Sequence, residues 1–239
     1  MSGPADARQV RIGDLDMTVV VQGSGPDLVL LHGGGEGADG LAALQGLLAV
    51  GHRVIAPEQR GHGRTPDIGP FGFDEMAADT IGLLEAMEIA SADLVGWSDG
   101  GIIALLVAHR RPDLVRRVVA IGASLRMDLE PAALRPGDLE WIQTTDPATV
   151  PFPMAVETRH KLMAMWLAGP NLTFADLESI TIPVLIMAAD HDMITLEHQL
   201  AMFQALPAGQ FAVIADATHD VPQAQPDKVA AQVEAFLRA

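Results

Sequence analysis

The chain has 239 residues, of which 49% are apolar, a net charge of −16 and no cysteine. That length and apolar content suit one large core and exclude a disordered chain. The missing cysteines exclude disulfides, thiol catalysis and Cys-ligated metals, and the acidic balance, with no basic stripe, argues against a nucleic-acid partner.

Met1 to Ala7 reads as a loose tail, and Met1 to Val10 lacks the apolar core of a signal peptide. No apolar run reaches the length of a membrane span, so the expectation is a soluble, cytoplasmic protein with no membrane partner. Val10 to Ile12 and Met17 to Gln22 are predicted as two edge strands around a turn at Gly13-Asp14. Leu28 to Leu31 is a continuous apolar run, as a buried parallel strand requires, and ends in His32-Gly33-Gly34-Gly35. A helix is predicted over Leu41–Val50, a strand over Arg53–Ala56, and a glycine-rich loop from Glu58 to Phe73. Asp74 is placed at the cap of a helix running to about Ile89.

Ala92 to Trp97 reads as a strand, Asp99 to Arg111 as a helix stopped by Pro112, and Val115 to Ile121 as the next strand. The rhythm then breaks. Leu125 to Glu178 carries no convincing buried strand and shows two helical patches, Leu139–Gln143 and Met154–Leu167, so 125–178 is read as a cap inserted into a core of 1–124 and 179–239. A strand over Pro183–Ala188, a helix over Leu196–Leu206, a strand over Gln210–Ile214 and a helix over Pro226–Leu237 complete the core. Alternating strands and helices imply an α/β fold, a mostly parallel sheet flanked by helices.

Gly96-Trp97-Ser98-Asp99-Gly100-Gly101 joins a predicted strand to a predicted helix. A serine at the tip of so sharp a turn needs small residues two places either side, and Gly96 and Gly100 supply them. Such a serine needs a general base. Of the eight histidines, His219 follows the last strand at the carboxyl edge of a parallel sheet, where the elbow also lies. His32 and His62 sit in turns and are read as loop braces, His52 and His198 as surface residues, and His160 as a cap residue that could line a pocket. The base in turn needs a carboxylate, and Asp192 fits, with Asp190 as its rival. Two backbone N–H groups are expected to form an oxyanion hole, those of Gly34 and Asp99.

With LHGGG at 31–35, RGHG at 60–63, GWSDGG at 96–101, ADHD at 189–192 and ATHDVP around His219, the sequence resembles the α/β-hydrolase fold family over nearly its whole length. The resemblance implies Ser98 as nucleophile, His219 as base and Asp192 as acid, with no cofactor or metal. Glu58 departs from the aspartate more usual before the RGHG loop. The GWSDGG form is similar to the biphenyl hydrolase-like branch, which includes valacyclovir-type ester hydrolases. There the acidic residue after the nucleophile is associated with a substrate ammonium group; the other reading of Asp99 is a solvated or helix-capping carboxylate. Trp141, His160, Met163 and Trp166 are further candidates for contact with a small-molecule substrate, alongside Asp99. The expected activity is ester hydrolysis through an acyl-enzyme on Ser98. C–C bond hydrolysis, lactone hydrolysis and perhydrolysis use the same residues, and a non-catalytic binding module is the remaining alternative.

Overall fold

The computed structural model describes residues 5–125 and 133–238. An antiparallel hairpin, β1 (Asp6–Ile12) and β2 (Leu15–Gly23), opens the chain. Then follow β3 (Asp27–Leu31), α1 (Ala42–Leu48), β4 (Arg53–Pro57), α2 (Phe73–Ala86), β5 (Ala92–Trp97), α3 (Asp99–Arg110) and β6 (Val115–Ile121). Three helices intervene, α4 (Pro136–Thr144), α5 (Val156–Ala168) and α6 (Phe174–Glu178). The chain closes with β7 (Val184–Ala189), α7 (Leu196–Ala205), β8 (Gly209–Ile214), α8 (Val221–Ala224) and α9 (Pro226–Arg238).

The strands form one eight-stranded sheet in the order β1-β2-β4-β3-β5-β6-β7-β8. It is parallel from β4 to β8 and antiparallel where β2 meets β1 and β4. Both faces of the central strands are covered, which is why they read as unbroken apolar runs. Leu28, Leu30 and Val95 pack with α1 and α9 through Leu44, Leu48, Val233 and Phe236. Val29, Leu31 and Leu94 pack on the other face with Met76 of α2 and Ile103 and Leu106 of α3. Side chains alternate along a strand, so each strand feeds both layers.

Some sequence expectations change. β1 starts at Asp6, inside the predicted tail, because it pairs with β2 along its length, from Asp6 opposite Val21 to Ile12 opposite Leu15. β2 is not an edge strand: its other side pairs with β4, Val20 opposite Ala56. Asp74 is not the cap of α2; Gly72 holds that position, while Asp74 lies in the first turn and takes Arg110 as a partner. α6 and α8, of five and four residues, are too short to show a periodicity in sequence. His52 and His198 are buried rather than on the surface: His52 bonds Glu234, and Nε2 of His198 accepts the N–H of Leu125. Part of the stretch read as a cap, residues 126–132, lies outside the described residues.

Candidate active site

The carboxyl ends of β3, β5, β7 and β8 meet at one edge of the sheet, and each leads directly into a loop that carries a functional group. Trp97 ends β5 and Asp99 begins α3, leaving Ser98 alone at the turn with φ 55° and ψ −120°. A non-glycine residue there costs about 1–3 kcal/mol of strain. Local bonds hold it: the Ser98 N–H donates to Ile121 at 2.8 Å, and its carbonyl accepts from Gly101 at 2.8 Å and Ile102 at 3.1 Å. A Cβ on Gly96 would strike the carbonyl of Gly100, and one on Gly100 would strike the carbonyl of Leu31. The two glycines are therefore steric requirements of the turn.

His219, in the loop after β8, faces Ser98 with Nε2 2.9 Å from Oγ. Its Nδ1 lies 2.7 Å from Oδ1 of Asp192, in the loop after β7. The carboxylate is oriented in turn by the N–H of Ile194, at 3.1 Å from the same Oδ1. Trp97 fixes the histidine from below: its indole N–H donates to the His219 carbonyl at 2.7 Å, and the rings lie 5.8 Å apart. Asp190, the rival carboxylate, does not reach His219. It accepts the N–H groups of Asp216 at 3.0 Å and Ala217 at 2.9 Å, bracing the turn that delivers the histidine. Those two N–H groups, Ala217 first, hold its carboxyl below the usual carboxylate range.

One residue that the sequence reading missed is Gly122, directly after β6. Its φ is 56°, and a Cβ there would lie 2.9 Å from Oδ2 of Asp192 and 3.2 Å from Nδ1 of His219. Its position at the end of a central parallel strand was the available signal.

The loop after β3 carries the predicted oxyanion donor Gly34. It is braced by His32, which is buried and whose Nδ1–H donates to the Gly33 carbonyl at 2.8 Å while Nε2 accepts the Gln59 N–H at 3.0 Å. Burial lowers the His32 pKa to about 4, which keeps the ring neutral and able to accept. His62 stands 5.1 Å from it, centroid to centroid, also buried and lowered, to about 3, chiefly by burial. The N–H of Asp99, first in α3, has no intrahelical acceptor and points where the helix dipole favours negative charge.

The Asp99 side chain is no solvated carboxylate. It is buried against Gly34 and accepts the indole N–H of Trp166 at 2.9 and 3.1 Å. Burial raises its pKa to about 6, offset in part by the Trp166 N–H and by the nearby His219.

These groups open on a cavity of about 250 Å³. Ser98, Asp99, His219 and Gly34 lie in its lining, as do Leu134, Ile142 and Ile194, which form a small apolar cluster of their own. Trp166 and Trp141 also line it; Trp141 is 43% exposed, which places it at the rim. His160 and Met163 do not line it. His160 is exposed and bonds the Val156 carbonyl of its own helix, and Met163 is buried in packing. Helical spacing could not tell which face of α5 turns inward. Asp190, His191 and Asp216 have ligand atoms close enough to share an ion, yet Asp190 is already occupied by backbone N–H groups and the three lie outside the cavity lining.

Comparison with known proteins gives a consistent picture. A profile of the alpha/beta hydrolase fold matches residues 26–168. Among curated relatives, the 2-hydroxymuconate semialdehyde hydrolase of Pseudomonas sp. (strain CF600) is 35% identical over 128 residues, 52% of this chain and 45% of that protein. The pimeloyl-[acyl-carrier protein] methyl ester esterase of Aromatoleum aromaticum is 44% identical over 99 residues, 41% of this chain and 38% of that protein. The match thus spans less than half the length of either relative. The crystal structure of the enol-lactonase from Burkholderia xenovorans LB400 superposes with a TM-score of 0.81 at 20% identity, covering 99% of this chain and 100% of that one. No helix among the described residues is long and apolar enough to cross a membrane.

Proposed function

The chain belongs to the α/β-hydrolase fold family, and from that premise we propose that it is a serine hydrolase cleaving carboxylic esters through an acyl-enzyme on Ser98. The observation that carries this reading is the unbroken relay from Ser98 Oγ through His219 to Asp192, with contacts of 2.9 and 2.7 Å. In this mechanism Ser98 Oγ attacks the ester carbonyl carbon as Nε2 of His219 takes its proton. Asp192 holds the Nδ1–H tautomer and stabilises the imidazolium. The oxyanion sits between the N–H groups of Gly34 and Asp99. His219 then gives its proton to the departing alcohol, and water activated by the same nitrogen releases the acid.

The cavity bears on the substrate. Its apolar wall suits a hydrophobic acyl part, with Trp141 and Trp166 as contacts. Among the described residues its lining carries two carboxylates, Asp99 and Glu36, and no lysine or arginine. Such a lining favours neutral or cationic substrates and opposes anions. Asp99 accordingly gives the acyl side a preference for an ammonium group near the carbonyl. A muconate-type substrate, such as the relative's name describes, carries a carboxylate that this lining would repel, which favours ester cleavage over C–C cleavage here.

Acid quenching during turnover of a p-nitrophenyl ester, followed by peptide mass analysis, tests the proposal. It predicts the acyl group on the peptide bearing Ser98. Turnover that persists undiminished in Ser98→Ala, or a marked preference for a dienoate diketone over every ester, would overturn it.

A further inference from the structure

Glu36 follows the oxyanion loop and lines the same cavity, half-buried. Among the described residues its carboxylate has no hydrogen bond or ion pair, whereas Asp99, which lines the same cavity, is tied to Trp166. Glu36 thus brings an unpaired carboxylate to a cavity whose described lining holds no lysine or arginine, and a cationic group of a ligand would find its partner there.

Its position indicates which part of the ligand that is. A Cβ on Gly40 would lie 2.7 Å from Oε2 of Glu36 and 3.2 Å from Nε2 of Gln223, so the carboxylate rests beside α8. That helix follows His219 directly in the chain, and the 3-10 turn Ala38–Leu41 packs on it. Glu36 therefore stands on the His219 side of Ser98, and Asp99 on the α5 side. His219 must pass its proton to the leaving group, so the leaving group lies on the His219 side.

Resting on the serine-hydrolase reading, we infer that Glu36 is a specificity-determining residue for the leaving group, and that the enzyme takes esters of positively charged alcohols, the amino alcohol class. The carboxylate faces the cation across the cavity while Ser98 attacks the carbonyl between them.

Two methylphosphonate probes with leaving groups of equal shape, thiocholine and 3,3-dimethylbutanethiol, separate the possibilities. In each, Ser98 Oγ bonds to phosphorus, the P–S bond breaks and the thiolate leaves, so the added mass is the same. The parent is expected to react about tenfold faster with the cationic probe. Glu36→Gln should reduce that preference to about twofold, Glu36→Arg should reverse it, and Asp99→Asn should retain it. Equal preference in parent and Glu36→Gln, or loss of preference in Asp99→Asn alone, would overturn this inference and leave the serine-hydrolase reading intact. Failure of both probes to add mass to the parent would overturn that reading as well.

Discussion

The backbone at Ser98, with φ 55° and ψ −120°, shows how much of this site is decided by single residues. A tip residue in this conformation needs small neighbours two places either side, and that constraint is written in the sequence as Gly96 and Gly100. The position of His219 beside Ser98 was legible because the loop after the last strand opens at the same edge of the sheet as the turn that carries Ser98. Choosing Asp192 over Asp190 was less direct, because both follow the same strand and only their bonds distinguish them. Gly122 was not singled out, because the close approach that requires it involves groups distant in sequence. Gly122→Ala should therefore displace Asp192 and His219 and lower kcat about 100-fold with a folded protein; kcat within twofold of the parent would contradict this. Asp99 carries a stability consequence. Its folded pKa is raised from 3.8 to about 6, so the neutral form is favoured in the fold. The stability it contributes is present below about pH 4 and is lost as pH rises through 6, amounting to about 2–3 kcal/mol above that. Asp99→Asn should then be more stable than the parent toward urea at about pH 8 and lose that advantage by about pH 4. A variant less stable than the parent at pH 8 would count against the buried charge.

At the scale of elements, α5 closes the site through two polar contacts at opposite ends. Near its start, Thr158 donates to Asp67 at 2.9 Å and Lys161 bonds the same carboxylate at 2.9 Å. Near its end, Trp166 bonds Asp99, and Phe152 meets the Trp166 ring edge-on at 5.9 Å. The stretch before α4 is joined to the loop carrying Asp192, with Leu134 opposite Ile194 and the Arg135 N–H donating to Met193 at 3.1 Å. The helices over the site are thus attached to Asp99 and to the loop carrying Asp192. Little of this was legible: the spacing in α5 predicts a helix but not its inward face, so Trp166 and His160 stand as equal candidates in the sequence although only Trp166 lines the cavity. The capping box at Thr173 and Asp176, which starts α6, was readable in principle as a T-x-x-D signature. Trp166→Phe keeps the ring and deletes the N–H. A double-mutant cycle of Trp166→Phe with Asp99→Ala, which removes the acceptor, read by urea unfolding at about pH 8, should give a coupling of about 1.5–3 kcal/mol. Additive effects would mean that the bond does not hold α5.

For the whole molecule, the alternation of apolar strands and amphipathic helices fixed the fold class, because a parallel sheet must be covered on both faces. The strand order was not legible from periodicity, since every central strand looks alike when both faces are buried. The buried histidines were misplaced where their partners lay far along the chain, as for His198 and Leu125. They now predict how the fold responds to acid. His32 and His198 are lowered to about 4 and His62 to about 3, mainly by burial. The unfolded chain binds these protons near pH 6.5 and the fold resists them until about 4. Stability is then full above about 6.5 and falls as pH drops toward 4, by about 1.4 kcal/mol per pH unit for each histidine. Urea unfolding at about pH 7.5, 6 and 5 should show this decline, and a flat profile would contradict the neutral buried rings. Intact mass after exposure to a fluorophosphonate reads the reactivity of Ser98 itself. One adduct is expected on the parent protein, none on Ser98→Ala and a strongly slowed reaction in His219→Ala. A folded parent that takes no adduct, or an adduct that survives in Ser98→Ala, would contradict the serine-hydrolase reading.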